Sequence, residues 1–272
     1  MNWLRAVVLI AVFPVAHVLQ GQMDAKGLEL ALKHRQFVLR SFSADPVAKY
    51  TYTWADGKLT DDPAKVHTLG VFTVEFVRLD NGKLSIQGNR STLVLDTKNA
   101  RLQATGSSPM TIEIDLSGAD AATAIPSLQD SLFFPDVNTA ISALPRGLGR
   151  TIPHVVAGSR PSGCGCLRFF DTEQWIEVPA PDKRFTHVKL IKTVDPEFSQ
   201  EARDKKLSGS VALAVFVSAK GDVEGLWLLD SLGSGLDEAA EAAISKYQFA
   251  PAQYDGHAVG EEMTIEVKFD IF

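Results

Sequence analysis

The chain is poor in cysteine. Of its 272 residues only Cys164 and Cys166 carry a thiol, too few for the multiply bridged scaffolds on which small exported domains rely. They also fall short of a thiol-only metal site, which takes three or four ligands. Excess positive charge is lacking too: 27 basic against 33 acidic residues leave a formal net charge of −6, so nothing in the electrostatics invites nucleic acid. Beyond the first 22 residues no apolar run approaches the roughly 20 positions needed to cross a bilayer. Internal repeats and low-complexity tracts are absent. So are the Gly-x-Ser-x-Gly elbow, the Walker loop and His-Glu-x-x-His, the commonest hydrolase, nucleotide and metalloprotease signatures.

Weaker hints of chemistry dissolve on inspection. Gly233-Ser234-Gly235 stands between a strand and a helix, but the sixth position of a dinucleotide fingerprint is Glu238, bulky and acidic where a pyrophosphate would lie. Turn plus helix cap explains it better. The histidines, His17, His34, His67, His154, His187 and His257, are scattered singly, the usual pattern of surface or structural imidazoles. In the pairs Asp61-Asp62 and Glu261-Glu262 neighbours point to opposite faces of a strand, which does not make a catalytic dyad. The expectation is a protein that is not an enzyme and holds no metal and no cofactor.

What is present begins with Met1-Asn2-Trp3-Leu4-Arg5 and an apolar run from Ala6 to Leu19, broken by Pro14 and His17. That is the pattern of an export signal over residues 1–22, cleaved near Gly21 or Gln22 or retained as an N-terminal anchor, so the expected location is the periplasm or the periplasmic side of the inner membrane. Residues 23–178 read as a mainly β domain. Tyr50 to Trp54 runs into Asp56-Gly57, and Leu69 to Leu79 runs through Asn81-Gly82 into Leu84 to Gln87 and Ser91 to Asp96. β-branched and aromatic runs around Asp-Gly and Asn-Gly turns make a meander from Phe37 to Leu116. Ile125, Leu128, Leu132, Ile141 and Leu144 then recur at helical intervals, predicting two short helices over one face of the meander. A Gly- and Pro-rich stretch follows, then Leu167 to Val178 as one more strand pair of the first domain, and a linker over residues 179–193.

Cys164 and Cys166 sit inside that Gly-rich stretch. Export allows a disulfide, but cysteines two apart close one only in a strained, reducible ring. A soft metal site and inert thiols are the alternatives, with His154 ten residues upstream of Cys164 as the nearest further ligand.

Residues 194–272 carry the most specific pattern. Pro196, Glu197 and Glu201 ahead of Arg203, Lys205 and Lys206 predict a short helix whose charges match its dipole. Val211 to Val217 and Val223 to Asp230 flank Lys220-Gly221-Asp222 and predict a hairpin. Large residues at the odd positions of its first strand meet a helix, and alanines at even positions leave the other face thinly covered. Ser234-Gly235-Leu236-Asp237 fits a capping box. Leu236, Ala239, Ala240, Ala243, Ile244 and Tyr247 then form one helical stripe. Met263, Ile265, Val267 and Phe269 alternate with Thr264, Glu266 and Lys268 in a last, half-buried strand. The fold class is α+β: a mainly β-meander domain with short helices, then a three-stranded antiparallel sheet with two helices. Trp54, Trp175 and Trp227 are core candidates.

This order of elements, opened by Pro196-Glu197-Phe198 and Ala202-Arg203, resembles the TonB C-terminal domain family over residues 194–272. The resemblance implies a binding module without covalent chemistry. In that family an inner-membrane, proton-driven motor energises the protein, and the C-terminal domain takes the box segment of an outer-membrane TonB-dependent receptor as an added strand. Carried onto this sequence, the docking edge is Met263, Thr264, Ile265, Glu266, Val267, Lys268 and Phe269, with Pro196, Phe198, Ala202 and Arg203 beside it. Energy-transducing members pair a serine with a histidine on one helix face and carry a long proline-rich spacer; here Phe13 stands four residues before His17, and a folded domain replaces the spacer. The alternative is a non-energised periplasmic adaptor that binds peptide or cell wall through the same fold. Open sheet edges also leave room for a homodimer.

Overall fold

The computed structural model describes residues 25–39, 49–60, 68–96, 101–134, 137, 139–140 and 166–270. The expected export signal and Cys164 lie outside them. The first half contains α1 (Ala25–Leu32), β1 (Gln36–Leu39), β2 (Lys49–Ala55), β3 (Lys58–Thr60), β4 (Gly70–Asp80), β5 (Lys83–Asp96), β6 (Arg101–Asp115), α2 (Ala121–Leu132) and β7 (Phe133–Phe134). The second half contains β8 (Cys166–Asp171), β9 (Gln174–Pro179), β10 (Phe185–Thr186), β11 (Lys189–Lys192), α3 (Gln200–Asp204), β12 (Gly209–Val217) and β13 (Val223–Asp230). It closes with α4 (Leu236–Ile244), β14 (Gln248–Ala250), β15 (Ala252–Tyr254), β16 (His257–Val259) and β17 (Glu261–Phe269). Many strands and few helices make this an α+β protein.

The hairpins follow from turn chemistry. Asp56 and Gly57 (φ 51° and 75°) and Asn81 and Gly82 (φ 47° and 75°) occupy the left-handed region in pairs, the geometry that joins right-twisted strands in two residues. β4, β5 and β6 therefore form the predicted meander. β2 departs from it by pairing parallel to β6, from Lys49↔Thr111 to Thr53↔Asp115. Its alternation puts Tyr50, Tyr52 and Trp54 inward. They meet Leu28 and Leu32 of α1 and Ala124, Ile125, Leu128 and Leu132 of α2 in the first core.

The second half does not stand apart. One sheet of ten strands runs β17-β12-β13-β5-β4-β1-β7, with β6, β2 and β3 branching from β5. β13 joins β5 in parallel at Leu228↔Val94, just past the end of the β4 ladder at Thr92. The even face of β12, expected to be thinly covered, is instead buried: Ala214, Phe216 and Trp227 of β13 pack with Val38, Val71, Leu93, Leu95 and Phe134 of the first half. The odd face, Val211, Leu213, Val215 and Val217, meets α4 as its stripe requires. A strand covered on both faces explains why β12 is apolar at nearly every position.

The segment expected to be a linker also carries structure. Phe185–Thr186 pairs with β15 and Lys189–Lys192 with β14. The β8–β9 hairpin forms where predicted, and Phe170 and Trp175 pack on the cluster that both halves share. Phe170 bridges to Gly260, Phe169 lies in a cluster with Phe185, Ala252 and Val259, and Phe170 and Trp175 set their edges against Phe216 at 6.0 Å.

Trp227 is 1% exposed, and its indole Nε1 finds no hydrogen-bond acceptor among the described residues. Its value is thus packing, offset by an unmet donor. Trp227→Ala is expected to cost about 3–5 kcal/mol in urea unfolding of the full chain, and Trp227→Phe less, because it removes the orphaned donor. Equal losses for the two would contradict this account.

Candidate functional site

The site is built on β17. Its nine residues pair one to one with β12, from Glu261↔Val217 to Phe269↔Gly209, and no other strand among the described residues pairs with it. Alternation divides its side chains. Val267 and Phe269 are buried in the core shared with α4, Met263 and Ile265 pack at its margin, and Thr264, Glu266 and Lys268 are exposed on the opposite face.

Both ends of the strand are pinned. At the start, Glu261 accepts from the Val188 amide at 2.8 Å and lies 2.6 Å from His187 Nδ1, tying β17 to the segment between β10 and β11. At the far end, the Phe198 ring sets its edge on Phe269, centroids 5.3 Å apart, and the Arg203 guanidinium stands over Phe198. Ala202 is fully buried in the same core. Phe198, Ala202 and Arg203 are therefore brought to the end of the strand on which the docking edge was expected. Pro196 lies ahead of the helix rather than in its first turn. α3 starts later because Ser199 caps it, its hydroxyl accepting from the Ala202 amide at 3.0 Å.

The loop before α4 is arranged differently from the expected capping box. Gly235 is the N-cap, in the left-handed region at φ 79°, and makes no side-chain cap bond. The carboxylate of Asp237 turns back instead, accepting from the Leu232 amide at 2.9 Å, from the Gly233 amide at 3.2 Å and from the Ser231 hydroxyl at 2.6 Å. Ser234 bonds outward: its backbone carbonyl accepts from the Ser199 hydroxyl, and its own hydroxyl lies 3.3 Å from Glu201 and 3.2 Å from Lys205. That network fastens α3 to the α4 loop. Lys205 and the hydroxyl of Ser234 hold the Glu201 carboxyl below its usual range.

The other margin of the three-stranded unit β13-β12-β17 is taken by β5. His187 and Glu261 had given no signal in the sequence, since a single histidine and an acidic pair acquire meaning only when a fold joins positions 74 apart. Cys166 is disulfide-bonded; the chain's other cysteine, Cys164, lies outside the described residues.

A three-stranded antiparallel unit with one outer strand unpaired and helices on one face defines a sheet-edge module. Residues 194–271 match the family model described as Gram-negative bacterial TonB protein C-terminal, so this part of the chain is a TonB C-terminal segment. The solution NMR structure of the Pseudomonas aeruginosa TonB CTD aligns at 21% identity and a TM-score of 0.28, covering 34% of this chain and 91% of its own. A search among curated proteins found no match. No helix among the described residues is long and apolar enough to cross a membrane.

Phe198→Ala removes the ring that closes the core at Phe269 and is expected to lower stability by roughly 2 kcal/mol. Lys268→Ala, on the exposed face of β17, should stay within about 0.5 kcal/mol. Chemical denaturation of the two variants checks the contrast, and a Lys268→Ala loss as large as that of Phe198→Ala would contradict the assigned faces.

Proposed function

We propose that the TonB C-terminal segment of this protein binds an extended partner segment by β-strand addition on the outer edge of β17, from Met263 to Phe269. The partner is the box segment of an outer-membrane TonB-dependent receptor, and the setting is the periplasm. The observation that carries the reading is the asymmetry of the sheet: β17 ends the strand order, while the opposite margin of the same unit is occupied by β5. An edge strand presents a row of unpaired amides and carbonyls, and an incoming chain satisfies them without any pocket. Here that strand is also clamped at both ends by Glu261 and Phe198, so little ordering cost remains on the protein side. In the energy-coupled form of this proposal an inner-membrane proton-driven motor acts through the protein on the receptor.

A second reading has its own observation. The first half shares a buried cluster with the terminal segment, a packed contact where a spacer would let the segment reach outward. That favours a non-energised adaptor binding peptide or cell wall through the same edge. A homodimer built on β13 requires β5 to leave, so within this arrangement β17 is the margin through which two copies would meet.

Titrating a synthetic receptor box peptide into isotope-labelled full chain should move the amide signals of residues 261–270, and the same peptide N-methylated on alternate residues should bind at least about tenfold more weakly, because each missing donor leaves a strand hydrogen bond unmade. Shifts confined to residues outside β17 would overturn strand addition there. Envelope fractionation separates the two readings: protein retained in the inner membrane favours energy coupling, and release with the soluble periplasm favours the adaptor.

A further inference from the structure

The face of α4 turned away from its apolar stripe carries Asp237, Glu238 and Glu241, all buried. They meet Thr68, Arg90 of β5, and Thr105 and Ser108 of β6. Arg90 is 2% exposed. The carboxyls are not equally served. Asp237 is saturated by two backbone amides and the Ser231 hydroxyl, with the Thr105 hydroxyl at 3.5 Å. Glu241 accepts at Oε1 from the Thr68 hydroxyl at 3.3 Å, and Glu238 at Oε1 from the Ser108 hydroxyl at 3.5 Å. The Oε2 atoms of both glutamates are buried without a hydrogen-bond donor among the described residues. Gly106, in the left-handed region at φ 69°, gives Glu238 its room, since a Cβ there would collide with Oε1.

Among the described residues, three carboxylates and one guanidinium would leave an excess of two negative charges in a buried layer. Buried charge without full hydrogen bonding is costly, and Glu238 and Glu241, three apart on one helix face, repel. A proton on one of them relieves both penalties. The layer also sits at the seam. Along β5 the inward face passes from Leu84 and Ile86 in the first core, through Arg90 and Thr92, to Val94 on the core of the terminal segment.

We propose that the carboxyl layer of Asp237, Glu238 and Glu241 against Arg90 is a proton-controlled latch that holds the terminal sheet to β5 and β6, closed with a proton on Glu241 and released when that proton leaves. Release frees the outer margin of β13 and uncovers the Phe216 and Trp227 face. Burial pushes the Glu241 carboxyl up to about 8, opposed by Arg90 and reinforced by Glu238 and Asp237, with the Thr68 hydroxyl opposing. An acid whose value is raised in the closed form binds its proton more tightly there. Its contribution to closure is whole below the ordinary value of 4.5 and is lost as pH rises through about 8.

Hydrogen exchange of the full chain, corrected for intrinsic rates, tests this on the amides of β13 and of Leu93 to Asp96. Between about pH 5 and about pH 8, protection of both should fall together, by up to about tenfold per pH unit, the limit for one linked proton, and level off above that. Glu241→Gln should flatten that dependence. Glu238→Gln removes the repelling neighbour and should move the transition to lower pH. Protection independent of pH in the unmodified protein overturns the latch, as does an unchanged slope in Glu241→Gln. Should Glu241→Gln fail to fold, the Glu238→Gln arm decides: an unmoved transition overturns it equally.

Discussion

The structure depends on the seam where β13 lies against β5. Its ladder is slight, a single parallel residue pair at Leu228 and Val94, and backbone bonds of that kind contribute only about 1 kcal/mol each. The apolar face contributes more. Phe216 and Trp227 are almost wholly buried, and aromatic burial of that extent is worth at most roughly 4–6 kcal/mol per side chain, of which contacts with Val38, Val71, Leu93, Leu95 and Phe134 provide a part. The opposite face holds Arg90, Glu238 and Glu241, which adds little net stability but constrains how the halves meet, because a misplaced buried charge is expensive. Apolar packing thus holds the seam and the charged layer orients it.

Local features of the chain were legible. Left-handed pairs at Asp56-Gly57 and Asn81-Gly82 turn hairpins where the dipeptides predicted them, because that signal lies in two adjacent residues. The order β12, β13, α4, β17 and the alternation along β17 came out for the same reason: period two and period 3.6 are written in neighbouring positions. Long-range partnerships were not legible. Nothing within Val223 to Asp230 tells which strand will lie beyond it, nor does Tyr50 to Trp54 announce a parallel neighbour sixty residues on at Ile112 and Ile114. Short strands such as Phe185–Thr186 have no period to detect. Misplaced caps are subtler. Ser234 and Asp237 have capping-box spacing, yet the carboxylate folds back onto Leu232 and Gly233, and Ser199 rather than Pro196 opens α3. Spacing identifies groups able to satisfy helix-end amides, and the surrounding chain decides which amides they reach.

Half of the candidate site was visible and half was not. Phe198, Ala202 and Arg203 belong to one pattern, since their packing on Phe269 and its core needs only a short helix returning to the sheet. The His187–Glu261 clamp needs the segment before α3 to cross the start of β17, and composition had marked that segment as linker. Exposed Leu190 and Ile191, at 46% and 66%, show why: β11 is unburied on both sides and carries no alternation.

Filling one edge of a sheet changes the meaning of the other. An isolated three-stranded unit would offer two margins of comparable backbone chemistry, and a partner strand or a second copy could choose either. Here β5 takes the β13 side at little hydrogen-bonding gain but with heavy side-chain support, so any strand competing there must first displace Trp227 from its cluster and Arg90 from its acids. On the β17 side no strand among the described residues has to be displaced, since the core face is already closed by Val267 and Phe269 while Met263 and Ile265 remain half-covered. An added strand there lays its inward side chains over those two residues and leaves the rest of the core untouched. In the proposed strand addition the first half therefore acts on recognition without touching the docking edge: by occupying the competing margin, it leaves β17 as the margin for a partner.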